Sequence, residues 1–287
     1  MRILSILTYY HPHWTGLSTI ACRVSEALAS RGHHVTVLTT RHAKTLPAHE
    51  TIGGVDIVRL TPALFVSRGA IAPSFPWRAA RLIARNDVVH IHTPLAESLL
   101  VAVLCRIMRR PLLITHHGDL VMPAGIGNRI VESMVTGAMT GAARLAKGVT
   151  ALSADYAAHS AFLGAHLHKV TAISPPVAMP HPDMEAATRW REQLGLSDAR
   201  VVGFAGRFVE EKGFDVLLQA LPDLVAAEPS VRLLFAGEHR VVYERFYERC
   251  RPLIDRSAGR VLSVGLLKDP QTLANFYSLC DVLALPS

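Results

Sequence analysis

Two basic side chains, Arg207 and Lys212, lie in a short loop between glycines at positions 206 and 213. A guanidinium offers a planar fork of donors and an ammonium is a mobile point charge, so together they can neutralise a diphosphate. Gly206 and Gly213 would let a ligand approach the main chain closely. An apolar strand is predicted before the loop, and the N-terminal amides of the helix predicted after it face the same place. The pattern predicts a diphosphate-binding loop, with a solvated strand-to-helix turn as the alternative.

A histidine and a carboxylate, His117 and Asp119, follow another predicted strand at 112–116. A neutral imidazole there can hydrogen-bond a donor sugar and help to orient an acceptor hydroxyl. We expect Asp119 either to orient His117 or to bind an acceptor hydroxyl, with turn chemistry as the alternative. His90 and His92 share one face of a strand. Because no third ligand stands at a suitable spacing, a polar strand tip is predicted there rather than a metal site.

Apolar runs that favour strands alternate with helical patterns along almost the whole chain, which predicts an α/β protein with parallel sheets covered by helices. The runs are continuous rather than alternating in polarity, as expected when both faces of a sheet are buried. Strands are predicted at 3–8, 35–39, 55–60, 88–92, 112–116, 148–152, 201–205, 231–236, 261–264 and 282–285. Helices are predicted at 18–30, 95–108, 130–146, 184–194, 216–227, 241–255 and 271–279.

Four prolines between positions 174 and 182 interrupt this alternation, because proline continues neither a helix nor a central strand. We interpret the segment as a hinge between two doubly wound domains, 1–175 and 176–287. Their strands would deliver ligands to a cleft at the carboxyl edges. The chain stops on a predicted strand with no covering helix, so we expect further elements of the second domain on its carboxyl side.

The composition excludes several classes of protein. The 287 residues are 50% apolar and 18% charged, which favours a folded protein of two domains over a disordered chain. No apolar run approaches the roughly 20 residues of a membrane span, and the N-terminus lacks a secretory signal. The four cysteines show no paired spacing and are expected to be reduced thiols of a cytoplasmic protein.

A formal charge of +7 favours a polyanionic partner. No basic run is interleaved with stacking aromatic residues, so nucleic acid is disfavoured. Peripheral contact with anionic lipid headgroups is the better hypothesis, and solvated helix surfaces are the alternative. The two basic clusters that suggest this contact are Arg78, Arg81 and Arg85, and Arg106, Arg109 and Arg110.

Several segments, taken in order, resemble the retaining nucleotide-sugar glycosyltransferases of family 4, which have a GT-B fold of two Rossmann-like domains. The first strand with its glycine loop and helix is similar to the family's first βαβ unit, and 206–213 is similar to its donor-diphosphate clamp. Three departures are visible: Thr15-Gly16 replaces a glycine pair, the turn at Gly237 is poorer in glycine, and the family's paired glutamates would come after Ser287. The segments that carry the resemblance are 6–17, 28–39, 87–94, 115–119, 206–213 and 281–287.

The resemblance implies transfer of a hexose, with retention of configuration, from a UDP- or GDP-sugar to a glycan or lipid-linked acceptor in cell-envelope polysaccharide synthesis. It implies no metal cofactor and a cytoplasmic location, with peripheral contact at the inner face of the plasma membrane. An inactive remnant or a nucleotide-binding module lacking the donor-binding glutamates is the alternative. A nicotinamide oxidoreductase is disfavoured, since no strand leads into a G-x-G-x-x-G sequence. The implied catalytic residues are His117, Arg207 and Lys212, and the implied substrate-binding residues are Gly16, Asp119, Gly206, Gly237 and Leu267.

Overall fold

The computed structural model describes residues 1–13, 15–66, 69–122, 125–177, 179–238 and 246–287. The chain divides into two units, Met1–Pro176 and Val177–Ser287, and the division falls inside the proline-rich segment. Each unit is a sheet covered by helices. Among the residues that the structure describes, none of the helices combines the length and the apolar composition needed to cross a bilayer.

The first unit is built on an eight-stranded sheet in the order β10-β9-β8-β7-β1-β2-β4-β3, in which only β3 runs antiparallel to its neighbour. A separate antiparallel hairpin, β5–β6, precedes α2. The strands are β1 (Arg2–Ile6), β2 (His34–Thr40), β3 (His49–Ile52), β4 (Val55–Leu60), β5 (Leu64–Val66), β6 (Gly69–Ile71), β7 (Val88–Thr93), β8 (Leu112–His116), β9 (Gly148–Ala151) and β10 (Val170–Ala172). The helices are α1 (Gly16–Ser30), α2 (Phe75–Arg85), α3 (Ser98–Ile107), α4 (Ile126–Leu145), α5 (Ala154–His159) and α6 (Ala161–Gly164).

The direction of the strand order reverses at β1, which pairs with β2 on one side and with β7 on the other. The chain adds β2 and β4 outward on the first side and then β7, β8, β9 and β10 outward on the second. Loops that leave β1 and β7 therefore diverge and open a crevice at the carboxyl edge of the sheet. In open α/β sheets this crevice is where ligands bind.

Helices cover both faces of the large sheet. Helix α1 packs through Ala21 on one face, against residues of β1 and β2. On the other face, buried residues of α2, α3 and α4 join one core cluster with the central strands. Strands buried on both faces are why their sequences read as continuous apolar runs.

The second unit is a four-stranded, entirely parallel sheet in the order β13-β12-β11-β14. One face packs on α8 and α9 through a cluster of aromatic rings that includes Phe204, Phe208, Phe214 and Phe235. The other face packs on α7 and α10. The strands are β11 (Arg200–Ala205), β12 (Val231–Ala236), β13 (Val261–Gly265) and β14 (Val282–Leu283), and the helices are α7 (Met184–Gln193), α8 (Phe214–Ala227), α9 (Phe246–Asp255) and α10 (Pro270–Ser278).

Each predicted strand and helix has a counterpart in the structure, except that the start of the helix predicted at 241–255 falls outside the described residues. The prediction that Gly16 belongs to a loop is wrong, because α1 begins at this residue. The last strand is shorter than predicted and covers only Val282–Leu283. The elements that were not predicted are β3, β5, β6, α2, α5, α6 and β10.

Candidate active site

A chain of polar contacts crosses the carboxyl edge of the first unit at the strand-order reversal. His92 of β7 is only 1% exposed. Its Nδ1 lies 3.0 Å from Nε2 of His117, and its Nε2 lies 3.2 Å from Oγ of Ser5 on β1. Three neighbouring strands thus contribute one residue each, since His117 directly follows β8. The second histidine of β7 holds the predicted site residue in place.

A second branch of this network starts at His90, two residues before His92. Its Nε2 lies 2.7 Å from Oγ1 of Thr115, which in turn lies 2.8 Å from Oγ1 of Thr150 on β9. The rings of His90 and His92 are in contact, with centroids 4.3 Å apart. Within the described ranges, no group of three or more histidine, cysteine or acidic side chains is arranged to hold a metal ion. The His90 ring is therefore engaged in a side-chain network inside the sheet edge.

Burial keeps these imidazoles neutral. It lowers the pKa of His90 to about 4, and burial together with the neighbouring His90 and His116 lowers the pKa of His117 to about 4. The pKa of His92 falls well below its ordinary value for the same reason. A neutral imidazole donates through one ring nitrogen and accepts through the other. Along the hydrogen-bonded series Ser5, His92 and His117 the tautomers are therefore coupled, because a ring nitrogen that donates a proton must face an atom that accepts it.

The histidine network ends at Nδ1 of His117. The Nδ1 of His117 is buried and makes no hydrogen bond among the described residues. The main-chain N–H of His117 donates to the carbonyl of Thr93 at 3.0 Å, which fixes the backbone beside β7. Because a buried polar atom without a partner is costly, a hydroxyl group that hydrogen-bonds to this nitrogen would be stabilised there.

These shifts predict a pH dependence of stability. Since His90 and His117 have an ordinary pKa of 6.5 and a folded pKa of about 4, the unfolded chain binds more protons between these values. The free energy of unfolding should be at its full value above about pH 6.5 and fall as the pH drops towards 4. We expect a loss of about 2 kcal/mol per imidazole between pH 7 and pH 5, measured by urea denaturation.

Two variants serve this measurement. His90→Gln is the test and removes a half-buried imidazole, and His168→Gln is the control and removes an exposed one. The loss between pH 7 and pH 5 should shrink by about 2 kcal/mol in His90→Gln. It should be unchanged in His168→Gln. An equal loss in both variants would contradict the assignment of a neutral, buried His90.

Asp119 has a different partner from the one predicted. Its Oδ1 lies 3.0 Å from Nε2 of His116 and accepts a hydrogen bond from Oγ of Ser160 at 2.7 Å. Its Oδ2 accepts from the main-chain N–H of Ala161, the first residue of α6, at 3.0 Å. The carboxylate therefore orients His116 rather than His117, which corrects the predicted pairing. It also ties the loop after β8 to the start of α6.

Gly16 opens helix α1, and its neighbours explain the local sequence. Oγ1 of Thr15 accepts from the N–H of Ser18 at 3.2 Å, and Oγ of Ser18 accepts from the N–H of Thr15 at 2.9 Å. This reciprocal pair caps the helix. A β-carbon built on Gly16 would meet no atom of the described residues within 4 Å. The fold therefore has no steric need for glycine here, and close approach of a ligand stays the predicted reason.

In the second unit, the loop after β11 holds both predicted cations. Nη2 of Arg207 lies 2.7 Å from Oε1 of Glu211, and both side chains are substantially exposed. Lys212 is half-buried, and no carboxylate within the described ranges lies within ion-pair distance of its ammonium. Lys212 ends a short 3-10 turn, and the next residue, Gly213, is the N-cap of α8. Lys212 thus stands beside the N-terminus of a 14-residue helix, and Arg207 lies earlier in the same loop.

The glycines of this unit bring three loops together at the carboxyl edge of its sheet. Gly237 follows β12 with a φ of +155°, and a β-carbon there would collide with the carbonyl oxygen of Gly206 after β11. The main-chain N–H of Gly206 donates to the carbonyl oxygen of Ala236 at 2.9 Å, and the N–H of Gly237 donates to the carbonyl oxygen of Gly265 at 2.8 Å. The chain's own backbone, rather than a ligand, accounts for the need for glycine at position 237.

At two further predicted positions, Gly213 and Leu267, contacts within the second unit explain the type of residue. A β-carbon on Gly213, whose φ is +62°, would collide with the carbonyl oxygen of Pro286. Leu267, beyond β13, is half-buried against the core that α7 and α10 share. Packing accounts for the apolar side chain of Leu267, and a contact with the nucleotide base stays a prediction.

The links of the histidine network were not predicted. Ser5, Thr115 and Thr150 meet the histidines only because adjacent parallel strands place them side by side. One sequence feature could have indicated these contacts. Polar residues lie inside otherwise apolar strands, and two histidines lie two positions apart in one of these strands.

Comparison with known proteins gives matches along nearly the whole chain. The family model described as Glycosyltransferase Family 4 matches residues 14–179, and the model described as Glycosyl transferases group 1 matches residues 199–287. A GDP-mannose-dependent alpha-(1-6)-phosphatidylinositol monomannoside mannosyltransferase of Mycolicibacterium smegmatis is 27% identical over 293 residues, covering 98% of this chain. Spore coat protein SA of Bacillus subtilis is 42% identical over 105 residues, covering 36% of this chain.

The chain spans less than two thirds of these two relatives, 64% of the first and 28% of the second. Among solved structures, Anabaena HepE in complex with UDP has a TM-score of 0.75 and 22% identity, covering 100% of this chain and 74% of HepE. The likeness confirms the predicted α/β fold of the GT-B class, with parallel, helix-covered sheets.

Proposed function

The chain belongs to glycosyltransferase family 4, and from this premise we propose that it transfers a hexose from a UDP- or GDP-sugar to a glycan or lipid-linked acceptor with retention of configuration. The observation that carries the proposal is the loop after β11, which holds Arg207 and Lys212 and leads into the N-terminus of α8 directly after Lys212. HepE was crystallised with UDP-glucose, and the relative from M. smegmatis is named as GDP-mannose-dependent. Both names support a nucleotide-sugar donor.

The two cations would act on the leaving group. As the bond between the anomeric carbon and the diphosphate breaks, its electron pair stays on the phosphate oxygen, so negative charge grows there. Preorganised positive groups stabilise this charge as it develops. Lys212 supplies an ammonium, Arg207 a guanidinium, and α8 the positive end of its dipole. These groups can take the electrostatic role that a metal ion plays elsewhere, so the proposal needs no metal.

In the second half of the reaction, the acceptor hydroxyl oxygen forms the new bond to the anomeric carbon. Its proton passes to the departing phosphate oxygen, and no enzyme nucleophile is required. His117 would hold a sugar hydroxyl through Nδ1, since its Nε2 is 3.0 Å from His92. His92 is then a positioning residue. The hydroxyl of Ser5 can donate or accept, so the coupled tautomers let Nδ1 of His117 do either.

The remaining predicted contacts are assigned within each unit separately. Gly16 lies in the first turn of α1, where open space beside it would admit an acceptor or a phosphate. We further propose that the main chain at Gly206 and Gly237, and Leu267 beyond β13, border the nucleotide. Asp119 would bind an acceptor hydroxyl only through lone pairs left free by its three internal contacts. A cytoplasmic location stays a prediction.

The rival hypothesis to be tested is an inactive remnant that has lost its affinity for nucleotides. The family's paired glutamates would be expected to hold the ribose and sugar hydroxyls of the donor, and each lost charge-assisted bond costs about 1.5–3 kcal/mol. Isothermal titration of the chain with UDP and with GDP separates the two hypotheses. We expect one nucleotide to bind with a dissociation constant below about 1 mM. Absence of binding by both nucleotides would overturn the proposal.

A further inference from the structure

A second series of hydrogen bonds lies beside the histidine network and involves the residue before His117. Nδ1 of His116 lies 2.9 Å from Oγ1 of Thr93, and Nε2 of the same ring lies 3.0 Å from Oδ1 of Asp119. Thr93 ends β7 and His116 ends β8, and the register of the two strands pairs them directly. These three residues form a hydroxyl–imidazole–carboxylate series, which we name the threonine triad.

The same order of groups activates a nucleophile in hydrolases that use a serine triad. Burial excludes that role for the threonine triad. Thr93 and His116 are each 0% exposed, so a substrate atom cannot reach the Thr93 hydroxyl. The triad is therefore suited to holding its neighbours in place rather than to attack on a substrate.

The direction of each hydrogen bond in the triad follows from the carboxylate. Although burial alone would raise the pKa of Asp119, its hydrogen bonds, that from Ser160 first, hold the pKa below its ordinary value. The ionised carboxylate only accepts, so Nε2 of His116 carries the ring proton. Burial lowers the pKa of His116 against the opposing effect of Asp119, so the ring is neutral and its Nδ1 accepts. The Thr93 hydroxyl consequently donates to Nδ1 of His116.

The Thr93 hydroxyl has a second acceptor within range, the main-chain carbonyl of Thr115 at 3.5 Å. A hydroxyl has one proton, so it donates either to this carbonyl or to the His116 ring. If the ring proton were on Nδ1 instead, Thr93 would accept from His116 and donate to Thr115. The tautomer of His116 thus fixes the direction in which the Thr93 hydroxyl donates.

Thr93 also holds the main chain of His117. Its carbonyl oxygen accepts from the main-chain N–H of His117 at 3.0 Å. The residue before Thr93 is His92, whose Nδ1 lies 3.0 Å from Nε2 of His117. Two consecutive residues of β7 therefore contact His117, one at its main chain and one at its ring. A shift of Thr93 would displace both contacts.

Asp119 anchors the other end of the short loop that carries His117. Its carboxylate accepts from Oγ of Ser160 at 2.7 Å and from the main-chain N–H of Ala161 at 3.0 Å. Its own main-chain N–H donates to Oη of Tyr156 at 2.6 Å. Tyr156 belongs to α5 and Ala161 to α6. The loop is thus tied to β7 at its first residue and to α5 and α6 at Asp119.

We propose that the threonine triad positions His117 for sugar transfer. Asp119 fixes the tautomer of His116, and His116 fixes the hydroxyl of Thr93. Thr93 and Asp119 then hold the two ends of the loop on which His117 lies. The inference deepens the proposed function and rests on the role assigned there to His117. It makes all three members of the triad positioning residues, and none of them needs to contact the substrate for this role.

Thr93→Val is the sharpest test, because valine keeps the shape of the side chain and removes the hydroxyl. Thr93 is fully buried, so a change in rate cannot come from a lost contact with the substrate. We expect kcat for sugar transfer to fall about ten- to a hundredfold with little change in KM, since a small misplacement at the reacting centre has this effect. Thr93→Ser keeps the hydroxyl and should retain more activity than Thr93→Val. Equal kcat values for wild type and Thr93→Val would overturn the proposal.

Nitrogen chemical shifts of the His116 and His117 rings test the triad without any activity. In wild type the protonated nitrogen of His116 should be Nε2. In Asp119→Asn the amide oxygen is required by the N–H of Ala161, so the amide NH₂ faces His116 and the ring proton should move to Nδ1. In Thr93→Val the His116 tautomer should stay, while the ring shifts of His117 should change. Protonation of His116 at Nδ1 in wild type, or at Nε2 in Asp119→Asn, would contradict the triad.

The matched control is Asp155→Asn, which removes a carboxylate 3.6 Å from the ring of His159, where both side chains are exposed. It should leave kcat and the ring shifts of His116 and His117 at their wild-type values. Urea denaturation verifies that each variant is folded. Lower stability of Thr93→Val with unchanged His117 shifts would reduce the triad to a structural role. If wild type transfers no sugar, the proposed function fails, and the nitrogen shifts still decide whether the triad positions His117.

Discussion

Replacing Lys212 with alanine is expected to lower kcat for sugar transfer by about a hundred- to a thousandfold, which is the usual cost of removing one preorganised group from a developing oxyanion. The half-buried ammonium of Lys212 has no carboxylate partner within the described ranges, so its charge is available to a diphosphate. Arg207→Ala should have a similar effect. The measurement is the initial rate of nucleoside diphosphate release from a sugar donor in the presence of acceptor.

Two controls separate a specific clamp from a general effect of charge. Lys268→Ala removes an exposed lysine of the same unit and should leave kcat unchanged. Glu211→Gln breaks the exposed pair with Arg207 but keeps the guanidinium, so the rate should stay near wild type or rise slightly. If Lys212→Ala turned over donor as fast as Lys268→Ala, the clamp would be excluded.

Replacing His117 with alanine is expected to lower kcat by about a hundredfold or more with little change in KM. The buried Nδ1 without a partner is the atom proposed to contact a sugar hydroxyl. Because the amide of asparagine reaches about as far as Nδ1, and that of glutamine about as far as Nε2, His117→Asn should retain more activity than His117→Gln. A change confined to KM would reduce His117 to a binding role.

The positioning role of His92 predicts a similar difference between asparagine and glutamine at position 92, although this residue does not contact the substrate itself. His92→Asn keeps a polar atom towards His117, whereas His92→Gln keeps one towards Ser5. Asparagine should therefore preserve more activity. The nitrogen chemical shifts of the His117 ring report its tautomer directly. They should change in His92→Gln, and unchanged shifts with lost activity would indicate a merely structural defect.

Most of the two sheets could be predicted from the sequence because their strands are buried on both faces and read as apolar runs. The predictions of β4, β8 and β12 matched in both existence and bounds. Strand β3 was missed because its residues alternate between exposed and half-buried, and it lies at the edge of the sheet. The hairpin β5–β6 and strand β10 have only three residues per strand, too few to show a period.

The candidate site was predictable in its residue types but not in its pairings. The register of β7 against β8 places Thr93 beside His116 and leaves His117 one residue beyond the strand, within reach of His92. The partner of Asp119, Ser160, is 41 residues away in the chain. Contacts of this kind depend on strand register and on loop packing, which no local pattern contains.

The role of a glycine is likewise not contained in a local sequence pattern. The family resemblance implied that Gly237 is a substrate-binding residue, whereas in the structure the backbone at Gly206 occupies the space beside its α-carbon. Close approach of two loops and close approach of a ligand leave the same residue in the sequence. The structure distinguishes the two cases: of Gly16, Gly206, Gly213 and Gly237, Gly16 alone has no atom of the described residues within 4 Å of a β-carbon built on it.

A crystal structure of the chain with UDP bound would show where the diphosphate lies relative to Arg207 and Lys212. We expect the diphosphate to lie at the N-terminus of α8, with its oxygens within hydrogen-bond distance of the Arg207 guanidinium and Lys212 Nζ. A diphosphate bound elsewhere in the second unit, with both cations turned towards solvent, would contradict it.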